Sequence, residues 1–188
     1  MRVIAGSARS IPLKTPMGIS TRPTQDNIKE TLFNIIQFDV PYSVFVDLCA
    51  GNGQIGIEAL SRGAKKAYFV ENNKEAVQCI QDNLHKTHFE DKSILLKMDV
   101  LSSLYHIHEK KVDLIYLDPP YHSSICESVL PVLAKMPYVK EETLIMVETS
   151  LDSDFSFLDQ TELVVTREKI YRSQKHLFLK KKEQHIVQ

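Results

Sequence analysis

Val44-Phe45-Val46-Asp47-Leu48-Cys49-Ala50-Gly51-Asn52-Gly53-Gln54-Ile55-Gly56 is the stretch whose reading decides the fold. Its first half is β-branched and apolar, the pattern of a strand covered on both faces. Its second half spaces glycines as Gly51-x-Gly53-x-x-Gly56 and leads into a helical pattern that runs to Arg62. Glycines between a strand and a helix permit positive φ and let a ligand approach the main chain closely. Only six glycines occur in the chain, and four of them (Gly51, Gly53, Gly56, Gly63) fall within thirteen residues. The cluster is therefore a feature of one turn.

Outward from that turn the chain alternates. Strands are expected over 66–71, 93–98, 112–117 and 143–148, with helices over 73–86 and 124–136 and a short one near 101–107. Ala76, Val77, Ile80 and Leu84 form one apolar helical face, and Pro131 should kink the helix it sits in. Strands alternating with helices mean a parallel sheet with right-handed crossovers. Upstream, Thr24 is expected to cap a helix with Asp26 in its first turn and Ile28, Leu32, Ile35 and Ile36 along one stripe, ending near Phe38. Residues 2–5 and 11–14 read as a small hairpin ahead of it. At the other end, 163–166 and 176–179 look like two strands with no helix between them, a closing antiparallel hairpin.

A chain of 188 residues suits one domain with a proper core. No segment approaches the length of a membrane span, and the first residues carry no apolar run long enough for a signal peptide. A cytoplasmic protein is expected. Cys49, Cys79 and Cys126 are far apart and odd in number, which fits small core residues in a reducing compartment better than disulfides. The seven histidines lack ligand spacing, so no metal site is expected. The net charge of −1 hides an uneven distribution. Arg2, Arg9, Lys14 and Arg22 stand near the N-terminus without an acid, residues 141–162 hold seven acids and no base, and 167–182 turn basic again, Arg172 included. Basic ends around a neutral middle fit a polyanion held at two patches, although charge runs are more often solvated surface.

The glycine spacing alone suits a dinucleotide as well as other adenosine ligands. About twenty residues on, the next strand ends in Glu71, followed by Asn72, placed for a ribose diol. Two further features tip the balance. Asp47, just before the turn, would repel a pyrophosphate but attract an ammonium. The third strand ends in Met98-Asp99-Val100, where an adenine amine could be read. An ammonium, a ribose diol and an adenine amine occur together in S-adenosylmethionine (AdoMet).

A second landmark is Asp118-Pro119-Pro120-Tyr121 after the apolar run 112–117. The prolines cannot donate to a ladder and fix their own φ, so they make a rigid ledge at a strand's carboxyl end. It carries an acceptor, Asp118 with the Pro119 carbonyl, on one side and the Tyr121 ring on the other. Such a ledge can hold an exocyclic amine and stack its base, whether guanine N2, adenine N6, cytosine N4 or a glutamine amide.

With these pieces in order, the chain resembles the class I AdoMet-dependent methyltransferases that act on exocyclic amines. More narrowly it resembles the RsmD family of bacterial 16S rRNA guanine-N2 methyltransferases. The resemblance rests on Arg22-Pro23-Thr24 with Asp26, Lys29-Glu30 and Phe33-Asn34, on Asp47-Leu48 with Gly51 to Ala59, on Asp118-Pro119-Pro120-Tyr121, and on the opening Met1 to Gly6. It implies an α/β, Rossmann-like fold with a mostly parallel seven-stranded sheet and a C-terminal antiparallel hairpin. Residues 1–188 would form one methyltransferase domain, with 1–40 as an N-terminal hairpin and helix extension and 41–188 as the AdoMet-binding core. It also implies AdoMet as cofactor without a metal, and 16S rRNA or the assembling small ribosomal subunit as partner of a monomer. Asp118, Pro119 and Tyr121 would be catalytic, and Asp47, Gly51, Gly53, Glu71, Asn72, Asp99 and Val100 would bind the cofactor. Arg9, Lys14, Arg22, Thr24 and Arg172 would meet RNA. Lys169-Ile170-Tyr171-Arg172 has Arg where the family pattern has Gly after the Tyr. The alternatives are a methyltransferase for DNA adenine or protein glutamine, and an NAD-dependent oxidoreductase.

Overall fold

The computed structural model describes residues 1–16, 24–120 and 123–183. Its elements in chain order are α1 (Thr24–Ile35), β1 (Val44–Leu48), α2 (Gln54–Ser61), β2 (Lys66–Val70), α3 (Lys74–Thr87), β3 (Ser93–Leu96), α4 (Val100–Ser103), β4 (Leu114–Leu117), α5 (Ile125–Leu133), β5 (Leu144–Ser150), β6 (Leu163–Ile170) and β7 (Gln174–Lys181). Seven strands form one sheet in the order β3-β2-β1-β4-β5-β7-β6. The first five are parallel, and β7 lies antiparallel between β5 and β6. The α/β alternation, the seven strands and the closing hairpin are all as expected.

Strand order reverses at β1, which has β2 on one side and β4 on the other. Ligands of open α/β sheets bind in the crevice at such a switch point, beyond the carboxyl ends of the strands. The glycine turn leaves β1 at that crevice and the Asp118 ledge leaves β4 there.

The side-chain period of two divides each central strand between two cores. Val44, Val46 and Leu48 of β1 join Val129, Leu130 and Leu133 of α5 on one face. Phe45 joins Phe69, Tyr116 and residues of α1, α2 and α3 on the other. The helices differ from expectation mainly at their ends: α1 stops at Ile35 rather than near Phe38, and α5 ends two residues past Pro131. Thr24 is the first helical residue of α1.

Residues 2–5 and 11–14 pair antiparallel as expected but briefly, through one bridge, Arg2 with Pro12, and backbone bonds from Val3 N to Ile11 O, Ser10 N to Val3 O and Leu13 N to Met1 O. The segment gains its order from α2. Ile4 and Ala5 donate their backbone N–H groups to the two oxygens of Glu58 at 2.8 and 3.0 Å, and Ser61 Oγ accepts from Ala8 N. Glu58 is fully buried and also holds Arg62 Nε at 2.8 Å, with Lys29 Nζ 3.7 Å away. Burial lowers the Lys29 pKa from its ordinary value, with Glu58 opposing the shift.

Candidate active site

The turn after β1 is built from left-handed backbone. Cys49 (φ 63°), Gly51 (φ 57°) and Gly53 (φ 79°) all lie there, the last at the N-cap of α2. For a β-carbon-bearing Cys49 this is a strained conformation of the kind that gathers at ligand sites. A Cβ on Gly51 would meet no atom within 4 Å, so the outside of the turn is open. A Cβ on Gly56 would lie 2.4 Å from the Phe69 ring, so the third glycine serves helix–sheet contact.

Glu71, at the end of β2, ties the crevice together. Its Oε2 accepts from Gly51 N at 2.9 Å, and its Oε1 accepts from Asn72 N and Asn73 N at 2.9 and 2.8 Å. Asp99 caps α4 by accepting from Ser102 N at 2.9 Å, and that bond keeps its pKa below the ordinary value. Glu71, Asn72, Asp99 and Val100 line one cavity of 360 Å³, with Cys49 on the turn side and Pro120 of the ledge opposite. The sequence reading is thus gathered in space on this side.

Asp47 departs from it. Its carboxylate is 1% exposed and accepts from Gly56 N at 3.0 Å, beneath the turn rather than in the crevice. Strand alternation points it into the α2 face with Phe45, so it shapes the turn and has no open path to a ligand ammonium. Burial, with a smaller push from Glu71 and against the Gly56 bond, raises its pKa to about 7. The folded value exceeds the unfolded one, so its stabilising contribution is complete below about pH 4 and is lost as pH rises through 7. Thermal unfolding at pH 5 and pH 8 checks this: the parent should lose more melting temperature between the two than Asp47→Asn. Equal losses would contradict the buried, proton-binding Asp47.

Asp118 lies where β4 ends. Its side chain keeps an exposed surface toward the crevice, yet it is set deep among the strand ends. That crowding, then the carboxylates of Glu148 and Asp47, raise its pKa well above the ordinary carboxylate range. Asp118 shares a small polar pocket of 40 Å³ with Gln54, Tyr116, Glu148, Gln174 and His176. Gln54 Oε1 is buried there and has no hydrogen-bond partner among the described residues. A second cavity, also 360 Å³, lies against Pro119 and Pro120 and reaches Glu148, Ser153 and the tilted ring pair Phe155–Phe157.

Glu148, Gln174 and His176 were not singled out by the sequence. Tyr116 Oη donates to Glu148 Oε2 at 2.6 Å, His176 Nε2 lies 2.9 Å from the same oxygen, and Gln174 Nε2 donates to Oε1. His176, fully buried, also meets Tyr171 Oη through Nδ1 at 3.1 Å. The one sequence signal was the apolar run 144–147 ending in an acid, the same pattern that marked Asp47 and Glu71.

Arg22, Tyr121 and the side chain of Thr24 fall outside the described residues. Arg9 and Arg172 are exposed. Lys14 is committed to α3, with Nζ 2.6 Å from Asp82 and its backbone N–H donating to Asn83 Oδ1. Among the described residues no group of three or more His, Cys, Asp or Glu could hold a metal, and no helix is long and apolar enough to cross a membrane.

The model of a family described as Conserved hypothetical protein 95 matches residues 1–180. A Haemophilus influenzae relative named Ribosomal RNA small subunit methyltransferase D is 34% identical over 156 residues, covering 81% of this chain and 80% of that protein. The Escherichia coli K12 protein of the same name is 29% identical over 153 residues, covering 81% and 76%. Among solved structures, yhhF from Escherichia coli superposes with a TM-score of 0.81 at 26% identity, covering 98% of this chain and 99% of that one.

Proposed function

The chain belongs to this family, the RsmD family, and from that premise we propose that it transfers a methyl group from AdoMet to the exocyclic N2 amine of a guanine in 16S rRNA. The observation that carries the reading is the placement of the Asp118-Pro119-Pro120 ledge across the switch-point crevice from the glycine turn, with Glu71, Asn72 and Asp99 lining the cavity between them. The residues present fit the cofactor. Gly51 leaves the turn open, and Glu71 and Asp99 follow successive strands and line one cavity. AdoMet supplies an activated methyl on a sulfonium. Everything else falls to the chain.

Asp118 and the Pro119 carbonyl accept the two N–H groups of the target amine. A guanine amine is a poor nucleophile because its lone pair is delocalised into the ring, and acceptors fixed on a rigid ledge favour a pyramidal nitrogen aimed at the methyl. The raised pKa of Asp118 also suits it to receive the proton that the nitrogen loses after attack. Incubating the protein with methyl-labelled AdoMet and separated RNA, DNA and protein fractions tests the reading. Label in RNA is expected, and label confined to DNA or protein would overturn it.

RNA affinity should rest on the exposed cations. Arg9→Ala with Arg172→Ala should weaken rRNA binding and flatten its salt dependence, whereas Lys14→Ala, whose ammonium already pairs with Asp82, should do far less. Filter binding at two salt concentrations decides between them; equal effects would remove the distinction.

A further inference from the structure

The ledge accounts for methyl transfer to an exocyclic amine without saying which base carries the amine. Adenine N6, cytosine N4 and guanine N2 all present two N–H groups to an acceptor. They differ in the ring atom beside the amine. Guanine has N1–H there, a donor, while adenine N1 and cytosine N3 are acceptors.

We propose that Glu148 selects guanine by accepting its N1–H while Asp118 holds the N2 amine. The inference rests on the guanine reading given above and names the residue that enforces it. Three observations carry it. First, Glu148 is the residue common to the small pocket that holds Asp118 and the 360 Å³ cavity against Pro119 and Pro120. A base seated on the ledge with its amine at Asp118 therefore turns the neighbouring ring atom toward Glu148.

Second, the hydrogen-bond count leaves one place open. A carboxylate offers about four acceptor sites. Three are taken by Tyr116 Oη, His176 Nε2 and Gln174 Nε2. The side chain remains 16% exposed, so one further donor can reach it. Third, those three donors come from β4 and β7 and hold the carboxylate in one place. With Tyr171 Oη bonded to Nδ1 of His176, Nε2 is the ring nitrogen that faces Glu148. A carboxylate oxygen in that place accepts N1–H and repels the ring lone pair of adenine or cytosine. Electrostatic influence of Glu148 on Asp118 is consistent with the two lying side by side.

The test replaces one atom group of the substrate. Small-subunit rRNA is assembled by splint ligation with guanine, or with 2-aminopurine, at the position the protein methylates. 2-Aminopurine keeps the 2-amine and has an acceptor at N1. The parent should methylate the guanine RNA on the order of a hundredfold faster in kcat/KM, since a site built around a hydrogen bond rejects an analogue that lacks it. Glu148→Gln should narrow the ratio to below about tenfold. A residue that merely stitched β5 to β7 would lower the melting temperature and slow both RNAs alike, leaving the ratio untouched. Equal rates for the two RNAs with the parent overturn the inference, and need no variant to be read. An unchanged ratio in Glu148→Gln overturns it as well. A parent that methylates no guanine in the rRNA would instead overturn the guanine reading beneath it.

Discussion

Glu58→Ala is expected to cost about 3–5 kcal/mol of folding stability, the range for removing one partner of a buried ion pair. Three donors lose their acceptor at once, the Ile4 and Ala5 amides and Arg62 Nε, and the Lys29 ammonium, which donates to the Arg2 carbonyl, loses its counter-charge. The side chains of Glu58 and Lys29 are at most 1% exposed, so water cannot replace what is removed. The amides belong to the N-terminal segment, which should detach from α2 and expose Val3, Ala8 and Leu13. Denaturant unfolding measures the loss. Adding Lys29→Met to Glu58→Ala should recover part of it, because the stranded charge is then gone. A loss below about 1 kcal/mol for Glu58→Ala would show that the buried cluster contributes little.

The second large effect concerns chemistry. Asp118→Ala should lower single-turnover methyl transfer on the order of a hundredfold or more, the usual consequence of deleting one preorganised polar contact. The glycine turn, Glu71 and Asp99 are untouched, so AdoMet should still raise the melting temperature by mass action. Asp118→Asn keeps one acceptor oxygen and should retain more activity than Ala. Removing a carboxylate held near Glu148 and Asp47 also relieves like-charge repulsion, so stability should not fall. A less stable Asp118→Ala protein that transfers methyl at the parental rate would make Asp118 a structural cap only.

Much of this was legible because each run of sequence carries its own period. The β1 run, the glycine turn and the helix that follows needed no tertiary information. The Asp118 ledge was legible because two prolines end a buried strand in only a few ways. Asp47 was legible as a strand-end acid but not in its direction, since a shift of one residue in the pleat exchanges crevice for core. Glu148, Gln174 and His176 became a site only through the antiparallel β5–β7 pairing, which sets Glu148 opposite His176 and Ser150 opposite Gln174. No local pattern encodes that register. Nothing local marked Glu58 as buried, since its partners in residues 4 and 5 lie more than fifty positions away.

The central claim is transfer of a methyl from AdoMet to guanine N2, and the product nucleoside tests it most directly. Small-subunit rRNA from cells lacking the protein is incubated with AdoMet and either the parent or Asp118→Ala, digested, and its nucleosides separated by mass spectrometry. N2-methylguanosine formed by the parent and nearly absent with Asp118→Ala is the expected result; methyl on an adenosine or cytidine, or none with either protein, would contradict it.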